Sequence, residues 1–579
     1  MNKHLTQISC ALLLVMTLLS SCKEHDLFEL DGKREYIQGS ASSSVLSGRN
    51  RVQINFAVPN VSVKMVKIYW NNRQNVKEVQ VTGTGSLSTI ISPLAEGSYN
   101  FELIGYDAAG NASVPYKLSG TALGASFEAT LANRGIKDLY YDENGTAVIS
   151  WDAAGQALEM QLNYTDQSDV LRKVVRPSTA DTTQLVKLKP GELSANISYK
   201  TAYLPPNCID TFYAAPKEQA VITGSLKALA SAKDLSFGSL ISYGNFAATH
   251  GVVNDPSPNG IYKNICQNMF NFGQAAWGPS RWKREGGSDF NDANAVVNWS
   301  KTNYGKVFLH LIAGRDAYMP TWFTTGTFTP TEMDVMLKNL VTEVMTTNDN
   351  KTKVDYWNVA NELFDTNGLY ETMKWNDMGW EDDASGLTGA DKVNTKHPVF
   401  IGKLFQYARQ YTNAMLELRD YNFEFNTSAS PYYHKHKAFY QLVKHMKVKG
   451  YPIDAVGIQA HYTIGIGFAG GNDLFKQTVK KFTDLGVKVY ITELDIALPK
   501  VNNTIQPWTA ALADQQKNDY YNLIKTAYDA GIRLISVWGA RDNNDASWKF
   551  GQSPLLYDEN YKRKPAYYGV QKALFEIKK

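Results

Sequence analysis

From residue 235 to residue 575 the chain repeats one alternation, a short apolar run followed by an amphipathic stretch at helical spacing. Few folds accept such a pattern. Strands are predicted at 237–242, 269–272, 306–310, 354–361, 424–427, 455–461, 488–494 and 534–539, eight in all. Helical periodicity is predicted between them, at 291–303, 331–347, 399–418, 437–449, 473–485 and 513–530. Strands and helices in strict alternation place a parallel (β/α)8 TIM barrel over residues 235–579. A doubly wound open sheet is the alternative, disfavoured because no strand runs into a glycine-rich phosphate turn.

Upstream the texture differs. Residues 45–228 carry short alternating strands separated by turns, with no long helical period, and they predict two all-β, fibronectin/Ig-like sandwich modules at 45–126 and 127–228. Their role is open between a sugar-binding module and a spacer. Residues 1–21 have the form of a secretory signal, with Lys3 ahead of an apolar run from Ala11 to Leu19, and 22–44 read as a linker. Leu19-Ser20-Ser21-Cys22 resembles a bacterial lipobox, which implies lipidation at Cys22 and a membrane contact through the lipid anchor. Glu24 and Asp26 resemble the export tag of surface lipoproteins, so the expected location is the outer membrane of a Gram-negative-type bacterium, either periplasmic or surface-facing. Past Cys22 only Cys208 and Cys266 remain, too few for a disulfide scaffold or a structural zinc site.

Charge and composition narrow the partner. Lys plus Arg number 59 and Asp plus Glu 56, a net charge of +3, so no strong field is present to hold nucleic acid. Aromatic residues make up 12% of the chain, a large supply of flat amphipathic rings that fill cores or stack on sugars. In a barrel the strand C-termini carry the chemistry, and here they present His310, Asn361-Glu362, Gln459 and His461, Glu493 and Trp538. Glu362 and Glu493 end apolar segments, where a carboxylate without a task is costly to bury. A pair of carboxylates at a barrel mouth suits glycoside hydrolysis, one protonating the leaving oxygen while the other attacks the anomeric carbon or activates water.

Trp357-Asn-Val-Ala-Asn-Glu362 and Ile491-Thr-Glu-Leu-Asp-Ile496 resemble the acid/base and nucleophile strands of glycoside hydrolase family 10, best known as endo-β-1,4-xylanases. Gly457-Ile-Gln-Ala-His461, Val537-Trp-Gly-Ala-Arg-Asp542 and Pro554-Leu-Leu-Tyr-Asp-Glu-Asn560 with Lys564-Pro-Ala566 resemble further family segments in the same order. The resemblance implies a retaining double displacement, with Glu362 as acid/base and Glu493 as nucleophile about 5–5.5 Å apart. It also implies that Asn361 binds the sugar 2-hydroxyl, His461 orients Glu493 and Gln459 supports the mouth. His310, Trp538, Trp548, Arg281 and Trp282 are implied sugar contacts, Trp277 is a further candidate, and no metal or cofactor is needed.

Two stretches depart from the family pattern. The Glu-Asn-x-x-Lys-Trp expected after the second strand is replaced by Phe272-Gly-Gln-Ala-Ala-Trp-Gly-Pro-Ser-Arg-Trp282, which keeps a cation and a Trp but no Glu-Asn pair. The His-x-x-x-Trp-His after the third strand becomes His310-Leu-Ile-Ala-Gly314-Arg315, so a Trp wall gives way to open space and charge. Three readings therefore stand: an endo-glycanase acting on plant-type xylan, the same machinery on another β-glycan or a decorated xylan, and a noncatalytic surface glycan-binding lipoprotein. A monomer is expected.

Overall fold

Strict alternation governs the N-terminal part of this computed structural model, which describes residues 43–58, 61–241, 252–253, 255, 257–465, 472–542 and 549–579. In the strand Arg51–Val58 every second residue is buried, placing Val52, Ile54, Phe56 and Val58 on one face. That strand lies between Ser44–Gly48 and Gly85–Ile91 in a three-stranded antiparallel sheet. The sheet packs on a second of four strands, Asn75–Gln80, Met65–Trp70, Gly97–Tyr106 and Tyr116–Ala122, through Val66, Ile68, Phe101 and Leu103, with Trp70 at the edge of the core. A second sandwich repeats the scheme. Ala147, Ile149 and Trp151 of Ala147–Trp151 face Met160, Leu162, Ile197 and Tyr199 of the opposing sheet. Cys208 in this part and Cys266 in the barrel are not joined in a disulfide.

From Ser236 the sheet is parallel. Its strands are β1 (Ser236–Leu240), β2 (Phe272–Ala276), β3 (Val307–Gly314), β4 (Tyr356–Asn361), β5 (Met415–Asp420), β6 (Ala455–Ile458), β7 (Lys488–Ala497) and β8 (Leu534–Val537). Each pairs in parallel with its sequence neighbour, and β8 returns to β1 with Ser236 opposite Leu534, which closes the barrel. Phe272, Phe308, Ala455, Tyr490 and Leu534 form a separate apolar plug near the strand starts. The ladder shifts register between His310 and Ala313, between Asn358 and Ala360, and between Ile491 and Leu494. Bulges re-aim the side chains that follow them, and these three border His310, Asn361 and Glu493.

Two strand assignments need correction. The fifth strand is Met415–Asp420 rather than 424–427, and the helix expected over 399–418 stops at Arg409. The cause is composition: the buried positions of β5 include Glu417 and Arg419, which pair with each other, so the strand lacks the apolar run that identifies the others. The second strand begins at Phe272, where Phe-Gly-Gln-Ala-Ala is too small and polar to stand out.

The second sandwich rests on the outer helices of the barrel. Lys517 Nζ lies 2.8 Å from Asp138, the rings of Tyr140 and Tyr568 are 4.7 Å apart, and Gln571 Nε2 donates to Gly224 O at 2.9 Å. Among the described residues no helix is long and apolar enough to cross a membrane.

Candidate active site

A cavity of 610 Å³ opens at the C-terminal ends of the barrel strands. His310 reaches it from β3, Asn361 and Glu362 from the end of β4, Gln459 and His461 from beyond β6, Glu493 from β7 and Trp538 from beyond β8. Trp277 also lines it, stacked at 4.5 Å on Phe290 and held by its Nε1 donating to Asp289 O. Among the described residues, none that lines it comes from the sandwiches.

Glu493 is the more deeply set of the two carboxylates, with its side chain 5% exposed. Arg419 Nη1 donates to Oε1 at 2.9 Å, and His461 Nε2 lies 3.3 Å from Oε2. Burial alone works to raise the Glu493 carboxyl, but the His461 hydrogen bond and the Arg419 guanidinium outweigh it and hold it at about 2. His461 is itself clamped, because Nδ1 faces Asp495 Oδ2 at 2.8 Å. Burial lowers that imidazole, yet Asp495 and Glu493 on its two sides carry it up to about 9, so at neutral pH it is a cation donating from both nitrogens. Lys549 pairs with the other Asp495 oxygen.

Beneath lies a layer that sequence reading missed. Arg419, fully buried, spans Glu493, Glu417 (Nε to Oε1, 3.0 Å) and His310 (Nη1 to Nδ1, 3.2 Å). A guanidinium can only donate, so His310 accepts at Nδ1 and carries its proton on Nε2. Burial, with Arg419 adding to it, pushes His310 down to about 4, which keeps the ring neutral. Burial raises Glu417 to about 7 although Arg419 pulls the other way. A side chain at Gly457 would meet Glu417 Oε1 at 1.6 Å, so this glycine is what admits the network.

Glu362 sits in a different setting. Its φ is +55°, a left-handed turn that leaves the strand direction and presents the carboxylate to the cavity. Below the turn, Asp420 accepts from the Leu363 and Phe364 amides and pairs with the buried Lys435, whose Nζ also donates to Phe364 O. Around the carboxylate, Tyr318 donates to Oε2 at 2.7 Å, Arg315 Nη2 approaches the same oxygen at 2.8 Å, and Gln459 Nε2 donates to Oε1 at 3.0 Å. Gln459 Nε2 also reaches Asn361 Oδ1 at 3.3 Å, tying the two β4 residues together. The Arg315 side chain is 37% exposed.

The sequence-based expectations divide here. His310, Asn361, Glu362, Gln459, His461, Glu493 and Trp538 all converge on one cavity. Trp548 and Cys22 lie outside the described residues. Arg281 and Trp282 do not line the cavity. Trp282 is buried among Trp322, Phe323 and Trp375, with ring centroids 4.9–6.1 Å away, and Arg281 pairs with Asp292. The aromatic cluster buries this indole, so Trp282 presents no ring face to the cavity. Tyr318, Arg315, Arg419 and Asp495 were not anticipated as partners of the two glutamates.

One group among the described residues has metal-ligand composition, Asp383 with His397 and His445. Its nitrogens are already engaged. His397 contacts Tyr370 and Asp383, while His445 accepts from the Ala384 amide and faces Glu381. With every ring nitrogen taken, the cluster fits a hydrogen-bonded clasp between the 380–398 hairpin and the helix Tyr433–Val448 better than an ion site.

Comparison with known proteins gives the following. The glycosyl hydrolase family 10 profile matches residues 225–573, and a separate domain of unknown function matches residues 23–212. Endo-1,4-beta-xylanase A of Thermoanaerobacterium saccharolyticum is 30% identical over 300 residues, covering 49% of this chain and 23% of that protein. Exoglucanase XynX of Acetivibrio thermocellus is 29% identical over 300 residues, covering 49% and 24% respectively. The chain thus spans about a quarter of the length of these two relatives. Endo-1,4-beta-xylanase B of Thermotoga neapolitana is 26% identical over 296 residues, covering 50% and 75%. Native xylanase 10B of Thermotoga maritima superposes with a TM-score of 0.50 at 24% identity, covering 60% of this chain and 98% of that one, which speaks to the fold.

Proposed function

The chain belongs to glycosyl hydrolase family 10, and from that premise we propose that it cleaves β-1,4 bonds within a xylan-type polysaccharide, with retention at the anomeric carbon. Glu493 attacks the anomeric carbon while Glu362 gives its proton to the glycosidic oxygen, releasing the leaving sugar and a glycosyl ester on Glu493. Water then attacks the same carbon and passes a proton back to Glu362, and Glu493 departs as a free carboxylate. The observation that carries this reading is the state of Glu493, held ionised at about 2 by His461 and Arg419 on the wall of the cavity that Glu362 also faces. An anion kept ready is what a nucleophile needs.

The remaining residues take supporting parts. Asn361 is positioned for the 2-hydroxyl of the reacting sugar, where a hydrogen bond strengthens in the transition state. His310 offers its Nε2–H, and Trp538, edge-on to His310 at 5.4 Å, provides a ring face. A second reading, the same machinery on a decorated xylan or another β-glycan, is supported by one feature, the charge that Arg315 brings to the mouth beside Glu362. A glycan-binding protein without catalysis gains nothing from a nucleophile stripped of its proton. Incubating the protein and a Glu493→Ala variant with a panel of xylans and other β-glycans tests the reading by product size and anomeric configuration. Cleavage with retention, lost in the variant, supports it, while binding without cleavage or inverted products overturns it.

We further infer export as a lipoprotein from Lys3, the apolar run Ala11–Leu19 and Cys22. Incorporation of labelled fatty acid that disappears in Cys22→Ser is the expected result.

A further inference from the structure

We propose that Arg315 and Tyr318 form a carboxylate-binding subsite beside Glu362, made for a uronic acid branch on a sugar flanking the scissile bond. The inference rests on the hydrolase reading above. Among the described residues lining the cavity Arg315 is the one Lys or Arg, and it stands directly after β3. Its guanidinium is underused. Nη2 meets Glu362 Oε2 at 2.8 Å and Tyr318 Oη at 3.3 Å, while Nε is buried without a partner.

Burying such an N–H unpaired is costly, and the cost is recovered when a ligand supplies the acceptor. Glu362 does not depend on this cation, because Tyr318 and Gln459 already donate to its two oxygens. Arg419 also leaves a nitrogen, Nη2, without a partner, but that guanidinium is fully buried with Nε and Nη1 fixed on Glu417 and Glu493, whereas Arg315 is 37% exposed at the mouth, where a ligand can reach it. An arginine that is partly free, planar and short of acceptors pairs best with a planar carboxylate, through two parallel hydrogen bonds. Neutral sugar hydroxyls present no such geometry. On a neutral β-1,4 backbone the carboxylate must come from a branch. Its binding moves Arg315 from Glu362 to the substrate, so an acidic branch both anchors the chain and removes a cation from the group proposed to give up the proton.

The test uses three substrates of equal backbone length: an unbranched xylo-oligosaccharide, one bearing a glucuronic acid branch, and the latter with its carboxyl reduced to the alcohol. The intact protein should turn over the acidic substrate with a kcat/KM about tenfold above its reduced counterpart, equivalent to ~1.4 kcal/mol. In Arg315→Gln that ratio should fall to about one, chiefly through the KM of the acidic substrate, and Arg315→Lys should keep part of it. A ratio near one in the unaltered protein, or one that survives Arg315→Gln, overturns the subsite while hydrolysis of the unbranched chain leaves the enzymatic reading standing. Failure to cleave all three overturns both.

Discussion

Two glutamates share one cavity, and their surroundings could hardly differ more. Glu493 is sunk among partners that are themselves buried and clamped: Arg419 is fixed by Glu417, and His461 by Asp495. Glu362 stands on a left-handed turn at the rim, held by Tyr318, Gln459 and the half-exposed Arg315. Glu493, held at about 2, is thereby marked as the permanent anion of the pair. The largest expected effect follows from that. Glu493→Ala should lower xylan hydrolysis on the order of 10⁴-fold or more, whatever the leaving group. Glu362→Ala should cost roughly 10²- to 10⁴-fold on xylan and far less on an aryl glycoside whose leaving group needs no proton. Steady-state rates on both substrates check this, and equal losses for the two leaving groups in Glu362→Ala would break the contrast.

The next prediction concerns stability. Removing Arg419 leaves buried Glu417 without a cation and Glu493 with His461 alone, so Arg419→Met should destabilise the barrel by about 3–5 kcal/mol. Arg315→Gln, at the exposed rim, should change stability by less than about 1 kcal/mol. Chemical denaturation of the two variants provides the measurement, and similar losses would mean that the two carboxylates are anchored alike.

That same difference decided how much could be read from the chain. Glu362, Glu493, Gln459 and His461 were legible because each closes or follows an apolar strand, where a polar residue is out of place. The layer beneath was not, because its strand is disguised: in Met415–Asp420 the inward positions carry Glu417 and Arg419, and a strand whose interior is an ion pair has the pattern of a surface segment. The available signal was the spacing Glu417-x-Arg419 between Leu416 and Leu418, period two with charge where apolar residues were expected. Trp282 erred in the opposite direction. Its place beside Arg281 in a departing loop suggested a sugar contact, but ring packing among Trp322, Phe323 and Trp375 depends on residues up to 93 positions away, which no local motif reports.

The smallest expected effect probes the clamp on Glu493 by pH. His461 is raised to about 9 by Asp495 and Glu493, so its positive charge is present through neutrality and is lost as pH rises through about 9. The sign for stability is the same: a histidine whose folded value lies above its unfolded ~6.5 contributes fully below 6.5 and loses that contribution on passing 9. Glu493, held at about 2, contributes above its unfolded ~4.3 and loses this only as pH falls through 2, so it sets no limit in the working range. Burial of Glu417, raised to about 7, opposes the network as pH climbs from 4.3 to 7, but the group has no contact with substrate space. On an aryl glycoside whose leaving group needs no proton from Glu362, the alkaline limb of kcat/KM should therefore track His461. Replacing Asp495 by Asn removes one of its two anions and should move that limb toward neutrality by about one unit or more. The altered residue touches His461 and Lys549 and does not itself line the cavity, so a limb that stays near 9 in Asp495→Asn would show that His461 does not hold its proton for Glu493.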